Sequence, residues 1–294
     1  MNRYLDTEID KRFEELAASR QMHSKESRAP SRSVISLVMD KYLEEAGSTA
    51  EPSKKAFKQL VKPHLRMFLY AGHDTTSSTL LYSYFLLSRH PEVLSKVRAE
   101  HDTIFGSDYS IEHCSQVIAK SPSLLNQIPY TLAFIKEVLR LFPPAGSMRE
   151  GGPNFVLTDR QGRQYPTEGC NVWALSLVMH HKSDAFINPE ELIPERWLVG
   201  PEDPLYPKKG TWRAFEWGPR ACIGQTLALL ELKVALVMTV RMFDINPAYD
   251  HWDKANPSKG AIKLVEGNRA YQAELGGGGA RPADEFPVSV KLRL

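Results

Sequence analysis

The 294-residue chain is poor in cysteine, in long apolar runs and in charge of one sign. Its three cysteines, Cys114, Cys170 and Cys222, lack C-x-x-C spacing, which argues against a disulfide framework and a structural zinc site. No apolar run reaches the roughly 18 residues of a membrane span, and the nearest, residues 227–243, is interrupted by charges. The 37 basic and 35 acidic residues are interspersed, which disfavours a nucleic-acid partner.

The composition is otherwise that of a globular protein, with 42% hydrophobic and 24% charged residues, enough for a sizeable core. Residues 1–4 lack the pattern of a secretory signal, and Leu5, Ile9, Phe13 and Leu16 mark one face of an amphipathic helix. The chain therefore opens within a helix, as it would if a larger fold were cut there. A natural N-terminal helix is the alternative interpretation.

Helical patterns dominate the first half of the chain. They predict a long helix from about 55 to 88, a short one capped by Ser110, and others over 34–45, 91–106 and 129–141. Glycine and hydroxyl residues interrupt the long pattern at 71–76, and we expect the helix to open there.

The second half of the chain has a different texture. Short β-type runs separated by glycines between residues 149 and 178 predict small hairpins. Residues 184–217 form a long loop of a kind usually kept for function. An apolar helix over 223–242 follows, and the C-terminal region predicts a hairpin with a flexible tip at 276–279. The fold class is therefore mainly α with a small β portion.

The most specific motif is the segment FEWGPRACIG at residues 215–224. Phe215, Gly218, Arg220, Cys222 and Gly224 stand at the spacings of the cysteine-ligand loop of the cytochromes P450, which are haem-thiolate monooxygenases. The chain resembles that family at this motif. A merely buried cysteine is the alternative interpretation.

Each residue of this motif suits a thiolate bound to haem iron. Cys222 would supply the axial thiolate, which favours O–O cleavage, and the predicted helix after it would stabilise a negative sulfur. Gly218 and Gly224 would let the backbone approach the macrocycle and the sulfur, which a Cβ would obstruct. Phe215 would shield the ligand, and Arg220 would bind a haem propionate.

The segment AGHDTT at 71–76 resembles the oxygen-activation segment of the same family. The resemblance implies that Gly72 makes room for a ligand, that Thr75 hydrogen-bonds dioxygen, and that Asp74 helps to relay protons. His73 has no role by resemblance, and we interpret it as a solvent- or cavity-facing residue rather than a metal ligand. A packed helix with a few polar residues is the alternative for this segment taken alone.

Glu137 and Arg140 stand at positions i and i+3 of a helix that two prolines end. A second Glu-x-x-Arg begins at Glu266, so the pattern alone does not discriminate, and an ordinary surface ion pair is the alternative. The resemblance implies that Arg196, in the segment PERW, completes a buried ion network with both residues and fixes the loop beneath the haem.

Three further features have looser patterns. Arg149 resembles the family's second propionate-binding arginine. The paired histidines at 180–181 lack further metal ligands nearby and indicate loop structure instead. Lys208, Lys209 and Arg213 would either face an acidic redox partner or form a solvated charge run.

Four motifs in the family's order cover residues 55–242, and their flavour is that of fungal members active in secondary metabolism. The resemblance implies an N-terminally truncated cytochrome P450 fold, with helices at 1–54 and a haem-binding portion at 55–294. It implies heme b, iron protoporphyrin IX, as cofactor, and NADPH-cytochrome P450 reductase, O2 and a small organic substrate as partners.

The implied reaction of a full-length parent is hydroxylation of that substrate, at the cytosolic face of the endoplasmic reticulum membrane. Family members carry about two hundred further residues before the point where this chain begins, so we expect membrane contact only through segments absent here. A truncated, non-catalytic fragment is one alternative. A reductase-independent haem-thiolate isomerase or peroxygenase is another, and Asp74 and Thr75 argue against it.

Overall fold

The computed structural model describes residues 1–21, 33–46, 53–257, 262–265, 267–274 and 280–293. The described helices are α1 (Asn2–Gln21), α2 (Val34–Ala46), α3 (Lys54–Arg89), α4 (Pro91–Phe105), α5 (Ile111–Lys120), α6 (Pro129–Leu141), α7 (Ser176–His180), α8 (Gln225–Thr239) and α9 (Tyr249–Ala255). Four pairs of short antiparallel strands accompany them in the described part of the chain. The predicted fold class, mainly α with a small β portion, is confirmed.

Two compact units divide the chain, Met1–His73 and Asp74–Leu294. Helix α3 runs through the boundary between them without a break. The core of the first unit combines side chains of α1, α2 and the start of α3: Leu5, Ile9, Met39, Phe57, Val61 and Leu65. The predicted division after residue 54 stays a prediction.

The expected opening of the long helix at residues 71–76 is wrong, because α3 is continuous over its 36 residues. A single glycine costs a helix only about 1 kcal/mol, which tertiary packing readily offsets. The hydroxyl groups also bond within the helix: Thr79 donates to the carbonyl of Thr75 at 2.8 Å and Ser83 donates to that of Thr79 at 2.7 Å. Hydroxyl residues in this helix therefore stay compatible with an unbroken backbone ladder.

The core of the second unit lies where the C-terminal half of α3 packs with α6 and α8. Its largest members include Tyr82, Phe85, Phe134 and Leu236. Helix α6 has the predicted bounds, and nine of its residues are buried, so apolar and charged side chains alike lie inside. Helix α5 begins as predicted at an N-cap serine, Ser110, whose hydroxyl accepts a hydrogen bond from the amide of His113.

The strands pair locally in the middle of the chain. Strand β1 (Ser147–Glu150) pairs with β4 (Asn171–Ala174), and β2 (Val156–Thr158) pairs with β3 (Gln164–Pro166). The hairpins expected between residues 149 and 178 are therefore present.

The C-terminal strands pair differently from the expectation. Strand β8 (Val288–Leu292) pairs with β5 (Phe243–Pro247), whereas the glycine-rich segment connects β6 (Gln272–Glu274) and β7 (Ala280–Pro282). A hairpin on either side of the glycine-rich segment is therefore present as predicted, formed by β6 and β7. Only the inclusion of β8 in it is wrong, because an alternating pattern specifies a strand but not its distant partner. The predicted tip itself lies outside the described residues.

None of the described helices combines the length and the apolar character that crossing a bilayer requires, since even α3 mixes its apolar residues with many polar ones.

Candidate functional site

Glu137, Arg140 and Arg196 form one buried network, and each side chain is 0% exposed. The Nε and Nη2 atoms of Arg140 donate to the two carboxylate oxygens of Glu137 at 3.0 and 2.8 Å, and Nε of Arg196 donates to Glu137 at 2.9 Å. The indole of Trp197 and the amide of Ile193 also donate to this carboxylate, at 2.9 and 3.1 Å. One acceptor group thus satisfies donors from two segments of chain, which an exposed surface pair would not do.

The two arginines of the network also bind the loop that follows α7. Arg140 donates to the carbonyl oxygens of Pro189 at 2.6 Å and Glu191 at 2.9 Å, and Arg196 donates to that of Ile187 at 3.1 Å. The ring of Phe186 lies 5.2 Å from the guanidinium carbon of Arg140. These bonds hold the backbone of a loop that has little regular structure of its own.

His180 is fully buried next to this network, and no motif in the sequence had singled it out for this role. Its Nδ1 donates to the carbonyl of Arg140 at 3.0 Å, and its Nε2 accepts from the amide of Arg213 at 2.9 Å. Burial lowers the pKa of His180 to about 4. The hydrogen bond to the carbonyl of Arg140 opposes this shift, whereas the charge of Arg140 and any charge on His181 add to it. In the described residues no group of His, Cys, Asp and Glu side chains is arranged to hold a metal ion.

The cysteine turn, residues 215–224, is a chain of short backbone bonds that ends at a helix. The amide of Cys222 donates to the carbonyl of Phe215 at 2.8 Å, and the amide of Ala221 donates to that of Gly218 at 3.0 Å. Helix α8 begins two residues later than predicted, at Gln225, whose amide donates to the carbonyl of Cys222. Cys222 therefore lies just before a helix N-terminus, where the helix dipole favours a negative sulfur.

Gly218 and Gly224 differ in what a side chain would cost at their positions in this turn. Gly218 has a φ of +72°, a left-handed conformation that glycine adopts without strain. A Cβ on Gly224 would lie 3.8 Å from the sulfur of Cys222, an ordinary contact distance. The expectation that a Cβ there would obstruct the sulfur is therefore wrong, because the sulfur already leaves room for one.

The thiol of Cys222 is free and exposed, and several residues near it in the sequence have exposed apolar side chains. Ile223 is 91% exposed and Trp217 is 55% exposed, while Leu227 on the first turn of α8 is also exposed. The ring of Phe215 instead packs against Trp212, with centroids 5.8 Å apart. A thiol on an exposed apolar surface is the chemistry that suits the face of a porphyrin.

The two arginines predicted to bind propionates are both exposed. Arg149, on β1, donates to the neighbouring carbonyl of Met148 at 2.9 Å. Arg149 also lies close enough to Glu216, a residue of the cysteine turn, to affect its pKa. Burial alone would raise the pKa of Glu216, but hydrogen bonds from Arg213 and Ser147, with the charges of Arg213 and Arg149, lower it. Strand β1 therefore lies near the cysteine turn. Arg220 belongs to the turn itself, in a helical 3-10 segment over Gly218–Arg220.

The basic residues before the turn bond to their own chain. Arg213 lies 2.6 Å from the carboxylate of Glu216, and Lys208 donates to the carbonyl of Asp184. Arg213 is therefore not a purely solvated charge, whereas Lys209 is exposed.

Asp74 and Thr75 lie on α3, and His73 beside them is exposed. The carboxylate of Asp74 is 3.3 Å from Nη2 of Arg281, which is on β7. A Cβ placed on Gly72 would meet no described atom within 4 Å apart from the backbone of its own stretch of helix. Sequence reasoning missed Arg281, since nothing local in the C-terminal region marks it as the partner of a residue on α3.

Comparison with known proteins gives one consistent result. The cytochrome P450 family model matches residues 2–272. Cytochrome P450 monooxygenase polC of Polytolypa hystricis is 39% identical over 99% of this chain and 50% of its own length. Cytochrome P450 monooxygenase acrF of Aspergillus aculeatus is 35% identical over 80% of this chain and 51% of its own. The chain thus spans about half the length of these curated relatives.

A third relative is shorter. Cytochrome P450 monooxygenase PC-23 of Penicillium crustosum is 31% identical over 72% of this chain and 99% of its own length. Among solved structures, retinoic acid-bound cyanobacterial CYP120A1 covers 100% of this chain and 55% of its own, with a TM-score of 0.66 and 21% identity. That likeness shows a shared fold.

Proposed function

This chain belongs to the cytochrome P450 family, whose cofactor is haem, and we propose that Cys222 is the axial thiolate ligand of the haem iron. The observation that supports this most directly is the exposed thiol at the end of a hydrogen-bonded turn, immediately before α8. A cysteine kept only for packing would be buried, as Cys114 is. We further propose that the haem is heme b.

The residues around Cys222 fit this cofactor. Trp217 and Ile223 provide exposed apolar contacts for the macrocycle, and Gly218 holds the left-handed backbone that turns the chain toward α8. Arg220 and Arg149 are exposed guanidinium groups on and near the turn, suited to bidentate bonds with the two propionates. Bound haem supplies the activation of O2, and its electronic properties are set by the thiolate and the hydrogen bonds around it.

The whole-protein reaction that we propose is monooxygenation of a small organic substrate of secondary metabolism. Electrons would come from NADPH through cytochrome P450 reductase at the cytosolic face of the endoplasmic reticulum. The fungal relatives are all named monooxygenases, which supports the reaction type.

Asp74 and Thr75 are proposed to hold and move protons for this reaction. The ion pair with Arg281 holds the carboxylate of Asp74 in place on α3. The network of Glu137, Arg140 and Arg196 has a positioning role, because its bonds end on backbone carbonyls of the loop that leads toward Cys222.

The test is a reduced, carbon monoxide difference spectrum of the purified chain reconstituted with haem. We expect a thiolate-type Soret band in the wild type, and its loss in Cys222→Ala. Cys170→Ala is the matched control, since Cys170 is also a free, exposed cysteine and should leave the band unchanged. Failure of the wild type to take up haem would favour the fragment without catalysis. Equal spectra for both variants would overturn the assignment of the ligand.

A further inference from the structure

Helix α7 binds the backbone of one residue in the loop that precedes the cysteine turn. His180 and Ser176 stand one helical turn apart on α7, and both are buried. The amide of Arg213 donates to Nε2 of His180 at 2.9 Å, and the hydroxyl of Ser176 donates to the carbonyl of Arg213 at 3.5 Å. The backbone N–H and C=O of Arg213 are thus both bound from the same face of a five-residue helix.

The bonds of His180 require a single protonation state. Nδ1 faces a carbonyl oxygen and must carry the hydrogen, while Nε2 faces an amide hydrogen and must be bare. The imidazole is therefore neutral and in one tautomer. With no exposed surface on the residue, water does not replace either bond.

On one side, the imidazole is joined to the ion network through Arg140. The carbonyl of Arg140 accepts from Nδ1 of His180, and its side chain donates back to the carbonyl of His180 at 3.1 Å. This reciprocal pair ties α7 to the C-terminal end of α6, where Glu137 orients the same guanidinium.

On the other side, the bonds continue to the cysteine. The carbonyl of Arg213 accepts from the amide of Glu216 at 3.1 Å and closes a turn, in which Glu216 has a φ of +61°. Phe215, inside that turn, accepts from the amide of Cys222. A displacement of the Arg213 peptide would therefore be transmitted to the backbone of Cys222 by two further hydrogen bonds.

We propose that His180 is a positioning residue for the cysteine turn, and that its neutral imidazole is a latch between α6 and Arg213. The role of the latch in haem binding rests on the proposed function of Cys222, but its existence does not. Protonation adds a hydrogen to Nε2, which would then oppose the amide hydrogen of Arg213, so the latch opens in acid.

The charges around the latch agree with this sign. Arg140 and His181 both disfavour a positive charge on the ring, and their effect together with burial outweighs the bond to the carbonyl of Arg140, which favours it. Arg213 presents its amide to the ring while its side chain pairs with Glu216. Glu137 is occupied by the two arginines of the network. The imidazole accordingly stays neutral at pH values well below the pKa of a free histidine. The latch opens when the pH falls to the folded-state pKa of about 4.

Residue-resolved hydrogen exchange on the 294-residue chain tests the latch without haem. His180→Gln places an acceptor where Nε2 stands, whereas His180→Asn replaces the Nδ1 donor and leaves the amide of Arg213 unbound. We expect exchange of the Arg213 amide to be about tenfold faster in His180→Asn than in the wild type, and nearly unchanged in His180→Gln. His181→Gln, at the next and partly exposed position, is the matched control and should leave Arg213 protected.

Acid titration of the wild type supplies the second measurement, with the amide of Leu236 in the buried face of α8 reporting global unfolding. Protection of Arg213 should fall near pH 4 while that of Leu236 persists, and His180→Gln should remove the acid step. Equal exchange at Arg213 in the Asn and Gln variants, or loss of both amides together in the wild type, would overturn the latch. After haem reconstitution, the Asn variant should lose haem about tenfold faster than the Gln variant. A chain that fails to bind haem refutes the proposed function and leaves the exchange result standing.

Discussion

The ion network and the cysteine turn are built on opposite principles. Glu137, Arg140 and Arg196 are charged residues with no exposed surface, and the carboxylate at their centre accepts bonds from two chain segments. Cys222, the proposed ligand, has an exposed side chain, and the bonds nearest to it are backbone bonds of its own turn. The comparison teaches that the scaffold is buried so that the reactive residue need not be. A ligand can reach the thiol, while the groups that position it are shielded from water.

The largest effect should come from removing the shared acceptor of the network. Glu137→Gln leaves two buried guanidinium groups without their counter-charge, which typically costs about 3–5 kcal/mol in the free energy of unfolding. Urea denaturation followed by circular dichroism measures this loss. Glu190→Gln is the control, because Glu190 is 70% exposed and its removal should change stability by no more than about 0.5 kcal/mol. Similar losses in the two variants would contradict the contrast between buried and exposed charges.

Acid should lower the free energy of unfolding by protonating buried histidines. Burial lowers the pKa of His180 to about 4, below the unfolded value of 6.5, so the folded state binds fewer protons in this interval. Its contribution is therefore complete above pH 6.5 and is lost as the pH falls to about 4, a loss of roughly 3 kcal/mol. Burial also lowers the pKa of His101, to about 3. Protonation of His101 therefore also destabilises the fold as the pH falls.

The measurement is urea denaturation at a series of pH values for the wild type and His180→Gln. The difference between their slopes isolates His180 from His101, which both proteins retain. Identical slopes would show that His180 is protonated equally in the folded and unfolded states.

The smallest effect should come from the backbone of the exposed turn. Gly218→Ala places a side chain at a φ of +72°, a conformation that costs an ordinary residue about 1 kcal/mol. Thermal unfolding measures the loss, and Gly152→Ala is the control, since it has neither a positive φ nor a neighbour within 4 Å of the added Cβ. A smaller loss for Gly218→Ala than for the control would mean that the turn adapts without strain.

The parts of the fold that depend on neighbouring residues could be predicted. Pro129 and the prolines at 143–144 bracket α6, and Ser110 caps α5, because these residues act on the peptide groups beside them. The motif of the cysteine turn likewise predicts Cys222 as the ligand, because all of its residues lie within a segment of ten. The opening of α3 was predicted wrongly, because the local cost of Gly72 is smaller than the packing that holds the helix.

The contacts between distant segments could not be predicted from any local pattern. His180 is separated from both Arg140 and Arg213 by more than thirty residues. The expectation that the two histidines lie in a loop is wrong for His180, which ends α7, and their spacing carries no signal of which backbone groups they bind. The pairing of Asp74 with Arg281, and of β8 with β5, depends on the same long-range packing.

By itself, the sequence determined the family and the helical class and marked Cys222 as the candidate ligand, because each depends on residue types at short, fixed spacings. Only the tertiary structure decided that Glu137 serves two arginines at once, that Arg281 meets Asp74, and that His180 is buried and neutral. Burial and hydrogen-bond partners are properties of the space around a residue, and that space is made by segments far away in the chain.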